Sequence, residues 1–183
     1  YITFTGNIGE VQDFENILNC AETLKTTKKI KWLIVGDGSK YLWLKNQIQK
    51  RNLDTNFILT GNLSTDQIPH ILKNSDCLLV VLKKSKIDKF TVPGKLSNYM
   101  ISKKPIIGMI DGEAYDIIKN SNCGLVCRSG EYKKLSLNIK KVLKFSKSKK
   151  LTLGKNGFYF AKKNFDRVKQ FKKAIFYLKK IAN

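Results

Sequence analysis

Short apolar runs alternate with amphipathic segments along the whole chain, and three of the runs stop at glycine turns. Tyr1–Thr5 runs into Gly6-Asn7-Ile8-Gly9-Glu10, Ile30–Val35 into Gly36-Asp37-Gly38-Ser39, and Phe57–Thr60 into Gly61-Asn62. Continuous apolar runs bounded by turn residues read as strands buried on both faces, as in a parallel sheet covered by helices. The intervals carry the helices. Phe14, Ile17, Leu18, Ala21 and Leu24 recur at helical spacing, as do Tyr41, Leu44 and Ile48. Ser64 with Gln67 forms a capping-box pattern for a helix through Lys73, although Pro69 suits the first turn of a helix starting later. Strands follow at Cys77–Leu82, Pro105–Ile110 and Gly124–Cys127. Helices are expected from Pro93 through Leu96, Tyr99 and Met100, over Glu113–Lys119, and from Glu131 onward with a break near Gly154–Gly157. Six strands alternating with helices predict an α/β domain, a Rossmann-like doubly wound parallel sheet of about six strands with extra C-terminal helices.

The 183 residues fit one domain with a full core. No apolar run is long enough to span a bilayer. The chain opens inside an apolar stretch, Tyr1-Ile2-Thr3-Phe4, with no initiator methionine or signal-peptide pattern, so it reads as a piece of a longer protein. The four cysteines lie in apolar surroundings, and Cys123 and Cys127 have the wrong spacing for a CxxC pair. Reduced buried thiols are therefore expected, in keeping with the cytosol. The lone histidine, His70, builds no metal site, and no metal or cofactor is expected. Trp32 and Trp43 read as packing residues, and Asp37 and Asp111 as caps of the turns that follow them.

The charge is uneven. Lys plus Arg number 35 against 14 acidic residues, a net charge of +21. Residues 131–183 hold 17 of the basic residues and only 2 of the acidic ones. Three readings are open for this excess: a solvated face, an anionic membrane surface, or nucleic acid. Arginine, the residue that forks onto phosphates and guanine edges, occurs 3 times against 32 lysines, which disfavours nucleic acid. The membrane reading rests on Lys133, Lys134, Lys140, Lys141, Lys144, Lys147, Lys149 and Lys150 and implies a cytoplasmic, peripheral protein.

In open parallel sheets ligands bind beyond the C-terminal ends of the strands. That rule selects the loops Gly6–Gly9, Gly36–Ser39, Gly61–Asn62, Lys83–Gly94 and Asp111–Glu113. Glycines after strands let bare amides approach an anion, so a nucleotide site is expected there.

As an ordered set, these segments resemble the C-terminal, donor-binding half of retaining glycosyltransferases of the group 1 type with the GT-B fold. Thr5-Gly6-Asn7-Ile8-Gly9-Glu10 resembles the opening glycine loop of N-acetylfucosamine-transferase-like members. Ile34–Ser39, Phe57–Asn62 and Asn74–Val80 resemble the next three strands and their turns. Val92-Pro93-Gly94-Lys95-Leu96-Ser97-Asn98-Tyr99-Met100 resembles the helix that holds the nucleotide sugar. Lys104–Ile107, Asp111–Glu113 and Asn164–Arg167 continue the series. The resemblance covers essentially the whole chain. It implies a metal-independent hexosyl transfer from a nucleotide sugar, UDP-linked in most relatives, to a polysaccharide, lipopolysaccharide or glycolipid acceptor held by an absent N-terminal half.

Mapped on this sequence, the resemblance assigns Lys95 to the diphosphate as the catalytic residue, with Gly6, Asn7 and Gly9 offering backbone donors. Gly36, Pro93 and Gly94 also belong to the donor-binding set, Asn98 meets the ribose, Gly61 and Asn62 lie by the base, and Gly112 and Glu113 lie near the sugar. Lys95 as a solvated helix lysine is the competing reading. Relatives clamp the diphosphate with an Arg and a Lys where this chain has Asn7 and, approximately, Gln12. Relatives also carry two glutamates, whose places fall near Lys89 or Phe90 and on Asn98. These departures favour a second reading, a domain that binds a nucleotide sugar or a partner without transfer. A basic nucleic-acid-binding module is a third.

Overall fold

A computed structural model describes residues 1–27, 30–85 and 91–182. The strands are β1 (Ile2–Thr5), β2 (Trp32–Val35), β3 (Phe57–Leu59), β4 (Cys77–Val81), β5 (Ile106–Met109) and β6 (Gly124–Cys127). They form one sheet in the order β3-β2-β1-β4-β5-β6, every described pairing parallel. The helices are α1 (Phe14–Thr23), α2 (Tyr41–Lys50), α3 (Gln67–Asn74), α4 (Gly94–Ile101), α5 (Gly112–Asn120), α6 (Tyr132–Lys144), α7 (Lys147–Asn164) and α8 (Arg167–Ala182). The six-stranded Rossmann-like sheet read from the sequence is the architecture observed.

Alternation of side chains along each strand divides the core in two. Ile2, Phe4, Trp32, Ile34, Leu79 and Ile107 face α1, α2 and α6. Leu78, Val80, Leu82, Ile106 and Ile110 meet α3, α4, α5 and α7 on the other face. Trp32 is buried and stacks on Phe57 with ring centroids 5.7 Å apart, and Trp43 is half-buried against the same core. All four cysteines are buried free thiols. Burial pushes their thiols up, to about 12 for Cys20, Cys77 and Cys127 and about 11 for Cys123.

The helix pattern departs from expectation at Gly154–Gly157. No break occurs there: α7 runs through both glycines to Asn164. The ends fall instead at Ser146, whose hydroxyl caps the Lys149 amide at 3.1 Å, and at Phe165. Gly154 and Gly157 face α4 and the turn after it, where a Cβ on Gly154 would overlap the Lys103 carbonyl. Absence of side chains lets two helices approach closely, and that packing outweighs the poor helix propensity of glycine. Pro93 also sits one residue earlier than expected, at the N-cap of α4. At α3, Gln67 Oε1 accepts from the Ser64 amide at 3.2 Å, and Pro69 lies in the first turn.

Candidate donor site at the strand switch point

The order β3-β2-β1-β4-β5-β6 reverses direction between β1 and β4. Chains leaving these two strands turn to opposite faces, which opens a crevice at their C-terminal ends. The register widens it. β1 and β4 pair only through Ile2 with Cys77 and Thr3 with Leu78, whereas β4 and β5 pair over four residues. Beyond Thr3 the two strands part.

One wall of the crevice is the three glycine loops, laced together by backbone hydrogen bonds. Gly6 N–H donates to Val35 O at 2.8 Å, Gly36 N–H to Gly61 O at 2.8 Å, and Ile8 N–H to Asp37 O at 2.8 Å. Gly36 has φ +135°, and a Cβ there would overlap the Gly6 carbonyl oxygen, so only glycine fits. The Gly9 amide donates to Gln12 Oε1 at 3.1 Å. Three of the four loop amides expected to face an anion are therefore engaged within the protein. The Asn7 amide is the one without a partner among the described residues.

The other wall is the start of α4. A helix N-terminus carries partial positive charge. Tyr99, fully buried, fixes the helix against β1: its hydroxyl accepts from the Thr5 amide at 2.7 Å and from Thr5 Oγ1 at 3.2 Å. Burial raises the Tyr99 phenol to about 12, so it stays neutral. Helical spacing alone marks Tyr99 only as a member of α4. Its further signal is a phenol on an otherwise apolar face, which needs a polar partner.

Lys95, one turn before Tyr99 on the same face, reaches from α4 across the gap. Its Nζ lies 3.6 Å from the centroid of Phe4 and beside Gly6, where a Cβ would come within 3.3 Å of it. That nitrogen is sealed from solvent and has no hydrogen-bond partner. It is not a solvated helix lysine. Burial holds its ammonium down at about 7, against an ordinary 10.5.

The remaining predicted residues spread along the same edge of the sheet. Asn98 is exposed and opens onto a groove of about 740 Å³ between α3 and α4, lined also by Thr65, Ile68 and Leu72. Gly61 is half-buried with φ +69°, and Asn62 is exposed. Gly112 and Glu113 open α5 one strand further on, with Glu113 exposed. Asp111 holds the N-cap position of α5 but makes no cap hydrogen bond; it pairs with Arg128 at 3.6 Å instead. Asp37 does cap its own turn, accepting from Gly38 N–H at 2.7 Å. The place near Lys89 or Phe90 lies outside the described residues. Among the described residues no group of three His, Cys, Asp or Glu is arranged to hold a metal ion.

The family model for glycosyl transferases group 1 matches residues 1–158. The chain belongs to this family. Among curated relatives it is similar to WcaI of Escherichia coli (strain K12), whose name assigns it provisionally as a colanic acid biosynthesis glycosyl transferase. Identity is 37% over 99 residues, which are 54% of this chain and 24% of WcaI. The 2-deoxystreptamine glucosyltransferase of Streptomyces kanamyceticus is 23% identical over 143 residues, 78% of this chain and 36% of that protein. The chain thus spans about a third or less of these relatives. In fold it matches a glycosyltransferase from Rickettsia africae ESF-5 over 100% of this chain and 48% of that one, with TM-score 0.84 and 17% identity. It also matches Anabaena HepE, solved in complex with UDP-glucose, over 98% of this chain and 48% of that one, with TM-score 0.81 and 17% identity.

Proposed function

We propose that this group 1 glycosyltransferase domain binds the donor of a retaining, metal-independent hexosyl transfer, most simply a UDP-linked sugar. Residues 1–183 form the donor half, and a further domain outside this chain holds a polysaccharide, lipopolysaccharide or glycolipid acceptor. The observation that carries the reading is the unpartnered Lys95 nitrogen between the Gly6 loop and the first turn of α4. A buried amine without acceptors is a costly arrangement that a diphosphate would relieve. In this reading Lys95 and the Asn7 amide meet the leaving diphosphate, with preorganised charge as the main catalytic contribution. Asn98 meets the ribose, Gly61 and Asn62 the base, and Gly112 and Glu113 the sugar. UDP-glucose in HepE supports the donor class.

Asn98 tests the placement. An uncharged hydrogen bond contributes roughly 0.5–1.5 kcal/mol net, so Asn98→Ala is expected to weaken UDP binding by about two- to tenfold in calorimetric titration. Unchanged affinity would remove α4 from the donor site. One specific observation favours binding without transfer: an exposed amide stands at Asn98, where relatives have a carboxylate.

We further propose that the basic C-terminal third meets an anionic membrane surface on the cytoplasmic side. Seven of the eight clustered lysines are exposed on α6 and α7, and Lys150 is half-buried 3.9 Å from Asp76. On α8, Phe171, Ile175, Leu178 and Ile181 are exposed beside Lys172, Lys179 and Lys180. Apolar and cationic side chains on one surface helix suit a lipid interface. Among the described residues no helix is long and apolar enough to cross a membrane. Each lysine near anionic lipid contributes on the order of 1 kcal/mol, so sedimentation with anionic vesicles should be strong at low salt and lost at high salt. Equal sedimentation with neutral vesicles would return the lysines to a solvated face.

A further inference from the structure

We infer that Lys95 takes up a proton as the diphosphate of a donor enters the crevice, so that donor binding and protonation are a single event. The inference rests on the donor-site reading above and deepens it.

The geometry supplies the reason. An ammonium has three protons to donate and needs acceptors for them. Around Lys95 Nζ the described structure offers none. β1 presents the face of Phe4 and the backbone of Gly6. The buried phenol on α4 itself, Tyr99, is already engaged by Thr5. On β4, Leu78–Val81 are all apolar. Glu10, the carboxylate of the β1 loop, is held by Lys40 at 2.6 Å and Lys83 at 3.3 Å. Burial is what lowers the amine, to about 7, and the face of Phe4 offsets only part of that cost. A diphosphate would bring oxygen acceptors and negative charge to the same spot, and both favour the charged form. The step balances simply: one proton moves from solvent to the amine, and no bond in the donor forms or breaks.

Binding must then weaken as pH rises past the value for the empty site. Below it the ammonium is already present; above it each bound donor has to draw in a proton. Affinity is expected to fall about tenfold between pH 6 and pH 8.

The test is calorimetric titration of UDP-glucose into the full chain at pH 8, in phosphate and in Tris. UDP-glucose is a diphosphate diester with no group of its own titrating in this range. The heats should differ by the buffers' ionisation enthalpies times about one proton per site, and the difference should shrink towards zero at pH 6. His70→Gln should leave the uptake intact, since His70 lies exposed on α3. Lys95→Met should bind more weakly, with equal heats in both buffers. Binding with equal heats in wild type would overturn the inference and leave the donor site standing. Uptake that survives in Lys95→Met would overturn it too, by assigning the proton elsewhere. Absence of UDP-glucose binding at both pH values would overturn the donor-site reading and this inference with it.

Discussion

Lys95→Met is expected to make the domain more stable and a worse binder at once. Folding the wild type takes an amine with an ordinary value of 10.5 into a site where it sits at about 7. The sign follows from proton counting. Between those two values the unfolded chain binds the extra proton, so wild-type stability rises with pH across that window. Methionine has no proton to lose, so its advantage is full below pH 7 and disappears towards pH 10.5. The cation over Phe4 returns part of the desolvation cost, about 0.5–2 kcal/mol for such a contact. The net gain at pH 6 is then on the order of 2 kcal/mol, or roughly 4–8 °C in Tm for a domain of this size. UDP affinity should fall at least about tenfold, because hydrogen bonds to charged groups contribute roughly 1.5–3 kcal/mol. Melting curves at pH 6 and pH 10, with a UDP titration of the same variant, check both halves. A variant less stable than wild type at pH 6 would show that Lys95 is a supporting residue of the fold.

Gly154→Ala is expected to do the opposite of what helix propensity dictates. Alanine inside a helix is favoured over glycine by about 1 kcal/mol. Here the added methyl would overlap the carbonyl of Lys103, a backbone atom in the turn between α4 and β5 that cannot swing aside. α7 must lift from α4, loosening Gly157 against Met100 and Cys123 and Ala161 in the same core. Overpacking of this kind costs about 1–3 kcal/mol beyond the lost propensity gain, so the urea midpoint should drop with an unchanged slope. Because α4 carries Lys95 and Asn98, UDP affinity should fall as well.

These two residues mark where the sequence was legible and where it was not. Continuous apolar runs, three of them ending in glycine turns, located all six strands, because parallel strands buried on both faces leave little choice of residue. The candidate loops followed from the rule that ligands bind beyond the C-terminal strand ends, whereas the crevice between β1 and β4 follows from a strand order that only the structure shows. Side-chain placement was harder. Lys95 lies four residues before Tyr99 and so shares its buried face, a signal present in the sequence that the charge of lysine obscured. Gly154 and Gly157 looked like a helix break because propensity is local. Their spacing with Leu153 and Ala161 describes a smooth stripe for a neighbouring helix, which only the packing of α7 on α4 reveals. The glycine loop misled in a third way. Its amides look free in sequence, yet Gly6, Ile8 and Gly9 donate to partners within the fold, which leaves Asn7.

Everything turns on where a donor binds. Hydrogen–deuterium exchange of the full chain, with and without saturating UDP-glucose, locates that place without any substitution. Protection is expected in peptides covering Gly6–Gln12, Gly61–Thr65 and Pro93–Asn98, with α1, α2 and α6 unchanged. Protection confined to other segments, or no protection at saturating ligand, would contradict a donor site at the switch point.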